Sequence, residues 1–427
     1  MTLNINRRLF LLGSAAASAL AVGMSAPAFG QEARLRYYFW GGPGRSDRKV
    51  DTTTKFATER GGLVVDSEWS PWGDYWPRLA TQISGGNAPD LIQMDYRYIF
   101  EYARRGVLRP LDDLYPSVIT ATDFGDQRIE AGRVDGKLYG ITIGDNVMGL
   151  GYDVNAWTAA GVTLTNDMTW TAFREMCAQF KQANTREGYY ATNNSGGGET
   201  AFELWLRQKG KALYNAEGLA FDANDAAEWF EFWRGMSEDG LAPPADAIAL
   251  QQPNPENNGI TLGQTASSPM WSNEANPIGK LLQFPLELVQ LPRETVEGPS
   301  GAYLKPSQFM SISATSQSPE LAAEVINYLT NNLQSFKDVG VETAVPPSAK
   351  VREEIVPFLD EASLKSVKFV EEVSKTAQAL PPPPLPGAGE VTQVLTDTNL
   401  QVLFGNLTPE QAGAQLVQEA EAILARA

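Results

Sequence analysis

Strand-like and helix-like segments alternate between residues 35 and 105, and this alternation restricts the chain to few folds. Residues 35–40, 63–68 and 90–94 are short apolar runs that predict strands, whereas residues 46–60, 75–84 and 99–105 predict helices. The second of these helices is closed by Gly85 and Gly86. Such alternation indicates an α/β layer built on a largely parallel sheet.

The pattern restarts after residue 141, which predicts a second α/β lobe. Residues 148–152 and 286–291 resemble strands, and Thr169, Asp222 and Ser318 are predicted helix N-caps because their side chains can accept bonds from free helix amides. The predicted helices here are residues 170–183, 199–209, 226–236, 319–330 and 409–425. We expect two lobes, with the chain passing between them more than once.

The first thirty residues have the order of an export signal. Arg7 and Arg8 precede an apolar run, and Ala26, Ala28 and Gly30 offer small residues for cleavage. This predicts a removable signal peptide over residues 1–30 and a mature protein in the periplasm. The twin arginines resemble the signal for export in the folded state, and a Sec signal that carries two arginines is the alternative.

The composition excludes several kinds of chemistry. With no histidine and one cysteine, the chain has no Ser-His-Asp triad, imidazole metal ligand or internal disulfide, and the predicted cofactors and metals are none. A net charge of -17 argues against a nucleic-acid partner. Ser46 and Lys49 have the S-x-x-K spacing of serine hydrolases, but we interpret Ser46 as a helix N-cap. Cys177 is predicted to be buried packing.

Several aromatic residues fall beside predicted strand ends and turns, which are poor core positions. Rings there could stack on the C–H faces of sugars, while neighbouring polar side chains bind hydroxyls. The residues are Trp40, Trp69, Trp72, Tyr75, Trp76, Tyr96, Tyr98, Trp271 and Tyr303, with Arg45, Asp95, Arg97, Asp145, Asn146, Asn273 and Glu274 alongside. Packing is the alternative for each ring, and it is our interpretation for Trp157, Trp205, Trp229, Phe230, Phe232 and Trp233.

Seven segments in one order give the chain a family resemblance. Residues 79–95 are similar to a helix, Gly-x-x-Pro-Asp and strand signature, and the others are residues 102–112, 139–141, 149–154, 169–173, 319–328 and 345–348. Together they resemble extracellular solute-binding protein family 1, the carbohydrate-importer group that includes maltose-binding protein. The resemblance implies the two-lobe periplasmic binding protein fold of type II, with a three-crossing hinge.

The resemblance also implies where the lobes and the ligand lie. The hinge crossings would fall near residues 141–146, 301–306 and 341–346. The N-terminal lobe would comprise residues 31–143 and 307–342, and the C-terminal lobe residues 144–306 and 343–427. The implied ligand contacts are Trp40, Gly41, Gly42, Arg45, Trp72, Tyr75, Gln82, Asp95, Tyr96, Asp145, Asn146, Gly197, Gly198, Trp271, Asn273, Tyr303 and Lys305.

The function implied by the resemblance is capture of a mono- or oligosaccharide and its delivery to the permease subunits of an ABC importer. We expect a monomer without catalytic residues. Arg45, Arg97 and Lys305 raise the option of an acidic sugar, which a guanidinium could grip with two parallel bonds. The alternatives are a secreted carbohydrate-active enzyme that uses Asp/Glu pairs and a binder of a non-sugar solute.

Overall fold

The computed structural model describes residues 32–251, 257–341 and 343–426. The predicted export signal therefore lies outside the described residues. In chain order the strands are β1 (Ala33–Trp40), β2 (Leu63–Ser70), β3 (Leu91–Met94), β4 (Arg133–Val134), β5 (Lys137–Leu138), β6 (Ile141–Thr142), β7 (Asp145–Asn146), β8 (Met148–Asp153), β9 (Tyr214–Asn215), β10 (Gly218–Leu219), β11 (Ser267–Trp271), β12 (Leu286–Val289), β13 (Lys305–Pro306) and β14 (Phe309–Ile312).

The helices surround these strands and contain more of the described residues than the strands do. They are α1 (Pro43–Arg60), α2 (Trp72–Ser84), α3 (Tyr96–Arg104), α4 (Asp126–Glu130), α5 (Val154–Ala159), α6 (Trp170–Ala183), α7 (Glu199–Gln208), α8 (Ala223–Glu238), α9 (Ala245–Ala249), α10 (Ala275–Leu281), α11 (Pro319–Asn331), α12 (Leu333–Val339), α13 (Ala349–Ile355), α14 (Glu361–Ser374), α15 (Ala388–Leu403) and α16 (Pro409–Arg426), with a 3₁₀ turn at Val356–Phe358. Across the described residues no helix is long and apolar enough to span a membrane.

The first sheet has five strands in the order β2-β1-β3-β14-β6. Strands β1, β2 and β3 are parallel, and β14 returns antiparallel between β3 and β6. Both faces of β3 and β14 are buried, as expected for central strands covered by helices. This arrangement confirms the predicted α/β layer and brings the carboxyl ends of β1 and β3, which carry Trp40 and Met94, to the same edge of the sheet.

The second sheet is smaller and antiparallel. It has the order β11-β8-β12, and helices enclose a separate core around it. Trp157, Trp229 and Trp233 are at most 2% exposed in that core. The predicted packing roles of these tryptophans, of Trp205 and of Phe230 are confirmed, and Phe232 packs against the same core while partly buried. Cys177 is buried there as a free thiol.

Short strands join the two parts of the molecule. Strand β7 pairs with β13, and Asp145 forms a further bridge with Val345. The three segments that we predicted to cross the hinge thus lie side by side. Hinges between lobes are a few residues at the ends of elements, and these two-residue strands have that character.

The N-cap predicted at Ser46 is wrong. Helix α1 begins three residues earlier, at Pro43 after Gly42, because proline is well suited to the first turn of a helix. Ser46 lies inside the helix and is 1% exposed. By contrast, the caps at Thr169 and Asp222 are confirmed, since each side chain accepts a hydrogen bond from a first-turn amide. Ser318 precedes Pro319 at the start of α11, but its side chain makes no capping bond.

Candidate functional site

A cavity of about 310 Å³ lies between side chains of both predicted lobes. Its volume is near the lower end of the range of about 300–1,000 Å³ typical of small-molecule sites. The lining residues are Trp72, Asp95, Tyr96, Arg97, Glu199, Thr200, Glu203, Leu213, Tyr214, Trp271, Tyr303, Lys305, Leu380, Pro381, Pro382 and Pro384. They combine flat apolar rings with charged and hydroxyl groups.

The first wall is built at the starts of α2 and α3. Asp95 follows β3, and its side chain accepts a bond of 2.9 Å from the Arg97 amide, which fixes the first turn of α3. Tyr96 and Arg97 therefore sit at the carboxyl end of the sheet, where α/β proteins bind ligands. Trp72 is 44% exposed, and its ring contacts Trp40 edge-on with the centroids 5.0 Å apart.

The opposite wall includes Trp271, where β11 ends. The backbone amide of Trp271 donates a hydrogen bond of 2.7 Å to the Glu274 carboxylate. The ammonium of Lys305, on the hinge strand β13, lies 4.8 Å from the centroid of the Trp271 ring. This cation–π contact holds Lys305 beside the aromatic wall.

Tyr303 and Glu203 connect the hinge to α7. Gly301 has a φ of +75°, and a Cβ there would lie 2.2 Å from the Leu204 carbonyl oxygen, so the chain before β13 can lie against α7 only with glycine. The close approach lets the Tyr303 phenol donate a hydrogen bond of 2.8 Å to Glu203 Oε2. The Arg207 guanidinium lies 5.3 Å from the centroid of the Tyr303 ring.

Two carboxylates lie one helical turn apart on α7. Glu199 accepts a hydrogen bond of 2.7 Å from the Thr392 hydroxyl. Burial raises the pKa of Glu203 to about 7, and the nearby Glu199 acts in the same direction, while the bond from Tyr303 and the charge of Arg207 act against it. At neutral pH, Glu203 is therefore present in both protonated and ionised forms.

A proline segment, residues 380–384, closes another side of the cavity. The Tyr96 hydroxyl donates a hydrogen bond of 2.8 Å to the Pro381 carbonyl. On the other side, Arg207 donates to the Ala379 carbonyl at 2.6 Å, and the Gln378 amide donates to the Ala302 carbonyl at 2.8 Å. The proline segment is thus a wall of the cavity that is attached on both sides.

The structure brings some of the implied ligand contacts to this cavity and not others. Those lining it are Trp72, Asp95, Tyr96, Trp271, Tyr303 and Lys305. Tyr75 lies behind the wall, fully buried, and its hydroxyl donates to the Gln93 carbonyl at 2.6 Å. Trp40 is 7% exposed within the aromatic cluster that supports Trp72. Both rings support the wall from behind.

The remaining first-lobe residues of that set lie outside the lining. Gly41 and Gly42 connect β1 to α1, and Arg45 lies in the first turn of α1. The Gln82 side chain accepts a hydrogen bond of 3.1 Å from Arg36. None of these four positions is among the described residues that line the cavity.

Asp145 and Asn146 belong to the hinge. Asp145 is 1% exposed and forms an ion pair with Arg128. The Asn146 side chain donates to the Thr343 carbonyl at 3.2 Å. Both side chains therefore bind other groups of the protein.

The other second-lobe members of the set are loop residues. Gly197 packs against Thr396 of α15, and Gly198 immediately precedes α7. Asn273 is half-buried in the turn after β11. None of the three is among the residues that line the cavity within the described chain.

Sequence reasoning missed Glu199, Thr200, Glu203 and Tyr214. A signal for the carboxylates was available, because residues 199, 203 and 207 share one face of a helix whose other faces are apolar. A polar helix face has the same sequence pattern whether it lines a cavity or faces solvent.

A cavity enclosed between two α/β lobes and beside paired hinge strands defines a two-lobe solute-binding protein. The chain belongs to the bacterial extracellular solute-binding protein family, whose model matches residues 52–364. This confirms the predicted fold class and family resemblance. The family is one of extracellular solute-binding proteins, which agrees with the expected location outside the cytoplasm.

Solved structures share this fold over nearly the whole chain. An extracellular solute-binding protein family 1 member from Alicyclobacillus acidocaldarius is 28% identical, with a TM-score of 0.79 over 92% of this chain and 98% of that one. A Yersinia enterocolitica oligogalacturonide-binding protein, solved with saturated digalacturonic acid, is 21% identical, with a TM-score of 0.76 over 92% and 99%. The Listeria monocytogenes ABC substrate-binding protein Lmo0181, solved with cycloalternan, is 19% identical, with a TM-score of 0.74 over 92% and 98%.

Proposed function

We propose that this chain captures a saccharide in the cavity between its lobes and delivers it to an ABC importer. The observation that carries the proposal is the pairing of Trp72 from one side with Trp271 from the other, in a cavity that also contains carboxylates, cations and a tyrosine hydroxyl. Aromatic rings can stack on the C–H faces of a sugar, and the polar groups can bind its hydroxyls.

The placement of these groups on both lobes explains how binding would be coupled to closure. A ligand that touches Trp72 and Tyr96 on one lobe and Trp271 and Tyr303 on the other gains all its contacts only when the lobes approach. That difference in affinity favours the closed state. The closed protein then docks on membrane permease subunits, and the saccharide is released for ATP-driven import.

Two structural relatives support a saccharide ligand. The Yersinia and Listeria proteins of the same fold were solved with digalacturonic acid and with cycloalternan, respectively. The cavity volume of about 310 Å³ is compatible with a small saccharide, since small-molecule sites span about 300–1,000 Å³. The periplasm is the compartment in which such a protein would act, as a monomer.

A ligand screen by thermal shift tests the proposal. The panel contains neutral mono- and oligosaccharides, uronates, polyamines and short peptides. A ligand that binds only the native state raises the melting temperature, and we expect this from at least one saccharide. For that saccharide, Trp72→Ala and Trp271→Ala should each weaken binding by about tenfold or more, since each removes a stacking surface.

Phe404→Ala is the matched control, because Phe404 is an aromatic side chain 54% exposed outside the cavity lining. This variant should bind like the wild type. Stabilisation by polyamines or peptides alone would assign a different solute. Because Glu199 and Glu203 form a carboxylate pair, each bound saccharide should also be incubated and checked for cleavage, and steady turnover would overturn the proposal in favour of an enzyme.

A further inference from the structure

Resting on the proposed function, we infer that the saccharide is acidic and that its anionic group binds between Arg97 of the first wall and Lys305 of the hinge strand. Both side chains line the same cavity, one on α3 and the other on β13. The inference depends on how the charged groups of the cavity are partnered.

The carboxylates in and beside the cavity are bound to donors of the protein itself. Asp95 accepts the Arg97 amide, Glu199 accepts the Thr392 hydroxyl, and Glu203 accepts the Tyr303 hydroxyl. Glu274, next to the aromatic wall, accepts the Trp271 amide. These groups therefore act first as structural acceptors that fix the walls.

The two cations are partnered differently. Among the described residues, the Arg97 guanidinium and the Lys305 ammonium have no carboxylate within ion-pair distance. Lys305 is held by the Trp271 ring, and the carboxylates of Glu203 and Glu274 act on its charge from beyond ion-pair distance. The Arg97 side chain is exposed, and its guanidinium lies close to Gly389 of α15. A Cβ atom built on Gly389 would be 3.2 Å from Arg97 Nη1. The cavity thus offers cationic donors that the chain leaves open.

A neutral ligand would make this arrangement costly. Lobe closure removes water from the cavity, and a cation that loses water without gaining an anion is destabilised. An anionic substituent placed between the two cations attracts both of them, and a guanidinium presents two parallel N–H donors that match a carboxylate. Because the two cations belong to different elements on either side of the cavity, an anion held by both would also favour closure.

Asp95, Glu199 and Glu203 are the lining carboxylates that would oppose an anionic ligand, and the environment of Glu203 reduces its repulsion. Glu203 is partly buried, it receives the Tyr303 hydrogen bond, and burial raises its pKa to about 7. The charged groups that face it are Glu199, Arg207 and Lys305. In the protonated form Glu203 carries no charge to repel the ligand.

Calorimetry with matched ligands tests the inference. The probes are galacturonic, digalacturonic and glucuronic acids, their methyl esters, galactose 6-sulfate, and the neutral sugars galactose, galactobiose and glucose, at pH 6 and low salt. We expect at least one acid to bind about tenfold or more tightly than its own methyl ester. Comparison of the carboxylates with the sulfate identifies the anionic group.

Two cavity variants and one matched control locate the contact. Arg97→Gln and Lys305→Gln should each weaken binding of the acid by about tenfold or more, with a smaller effect on the ester. Arg105→Gln removes one positive charge at the end of the same helix, where Arg105 is exposed and paired with Glu101, and it should bind like the wild type. Circular dichroism and melting curves confirm that each variant is folded.

The outcomes separate this inference from the proposed function. If neutral sugars bind as tightly as the acids, or if Arg97→Gln and Lys305→Gln leave binding of the acid unchanged, the inference is wrong and the proposed function stands. If no saccharide in either panel binds, both are wrong.

Discussion

The Tyr303 phenol donates a hydrogen bond of 2.8 Å to the Glu203 carboxylate, and both side chains line the cavity between the lobes. Tyr303 lies two residues before Lys305 on the hinge strand, whereas Glu203 is on α7. The bond therefore links the wall of the cavity to the segment about which the lobes would move. A change in the protonation of Glu203 therefore affects both the wall of the cavity and the hinge segment.

The first prediction concerns stability against pH. Burial raises the pKa of Glu203 from 4.5 to about 7 in the folded protein, so the folded state binds more protons than the unfolded state between those values. The contribution of Glu203 to the free energy of unfolding therefore decreases as pH rises through this window, by on the order of 3 kcal/mol. Glu203→Gln should remove this slope and raise the melting temperature at pH 8 relative to the wild type.

Melting curves from pH 4.5 to pH 8 measure the effect. Glu217→Gln, in an exposed turn, serves as the control and should keep the wild-type slope. Equal slopes for Glu203→Gln and the wild type would contradict the prediction.

The second prediction concerns affinity against pH. If the ligand is an acidic saccharide, ionised Glu203 repels it, so the dissociation constant should increase as pH rises from about 6 to about 8. Glu203→Gln should flatten this dependence while leaving the Tyr303 donor an amide oxygen to bind. Calorimetry at four pH values gives the dissociation constants of the wild type and of Glu203→Gln. A wild-type dissociation constant that does not change with pH would show that Glu203 does not interact with the charge of the ligand.

The third prediction concerns the bond across the cavity from Tyr96 to the proline segment. Tyr96→Phe removes the donor to the Pro381 carbonyl and should cost about 1 kcal/mol of stability. The first wall is then attached less firmly to the proline segment, which Arg207 holds on the other side. We therefore expect a larger fraction of molecules with open lobes and a lower affinity for the ligand.

Small-angle scattering of the ligand-free protein, together with calorimetry, checks this result. Tyr98→Phe is the control, because Tyr98 lies on the same helix and lines no part of the cavity. A Tyr96→Phe protein with wild-type dimensions and affinity would show that the bond does not hold the lobes together.

The fourth prediction concerns the buried ion pair of the hinge. Asp145 and Arg128 expose 1% and 11% of their side chains, so Asp145→Asn leaves a guanidinium without its counter-ion in the interior. We expect a loss of about 3 kcal/mol in urea unfolding.

The matched control for the hinge pair is the exposed pair of Asp135 with Arg104, whose side chains are 65% and 60% exposed. Asp135→Asn should have a much smaller effect, because solvent screens an exposed pair. Equal losses for the two variants would mean that burial does not determine the strength of the hinge pair.

Much of the fold could be predicted from local sequence because strands and helices have their own periodicities. Helix α6 begins at Trp170 after its Thr169 cap, as the sequence indicated, because capping depends on neighbouring residues. The start of α1 was missed because Pro43 extends the helix before the periodic region begins. The predicted strand ends also placed Tyr96 and Trp271 correctly: Tyr96 follows the end of β3, and Trp271 ends β11.

The rest of the site depends on packing between distant segments, which no local pattern encodes. Trp72 and Tyr75 are three residues apart in one aromatic motif, yet only Trp72 reaches the cavity, while Tyr75 is buried behind it. The proline segment meets Tyr96 across 285 positions of sequence. Whether a polar helix face such as that of α7 lines a cavity or faces water is decided at this level of structure.

The walls of the cavity come from seven separated stretches of chain, and the last of them, the proline segment, lies near residue 380. No stretch holds the site by itself, so the chain has no binding site until its C-terminal part has docked. Bound solute then stabilises only the finished structure and not the transition state for folding. Saturating ligand should therefore slow unfolding while leaving the refolding rate unchanged. The solute thus stabilises the folded protein but does not speed its folding.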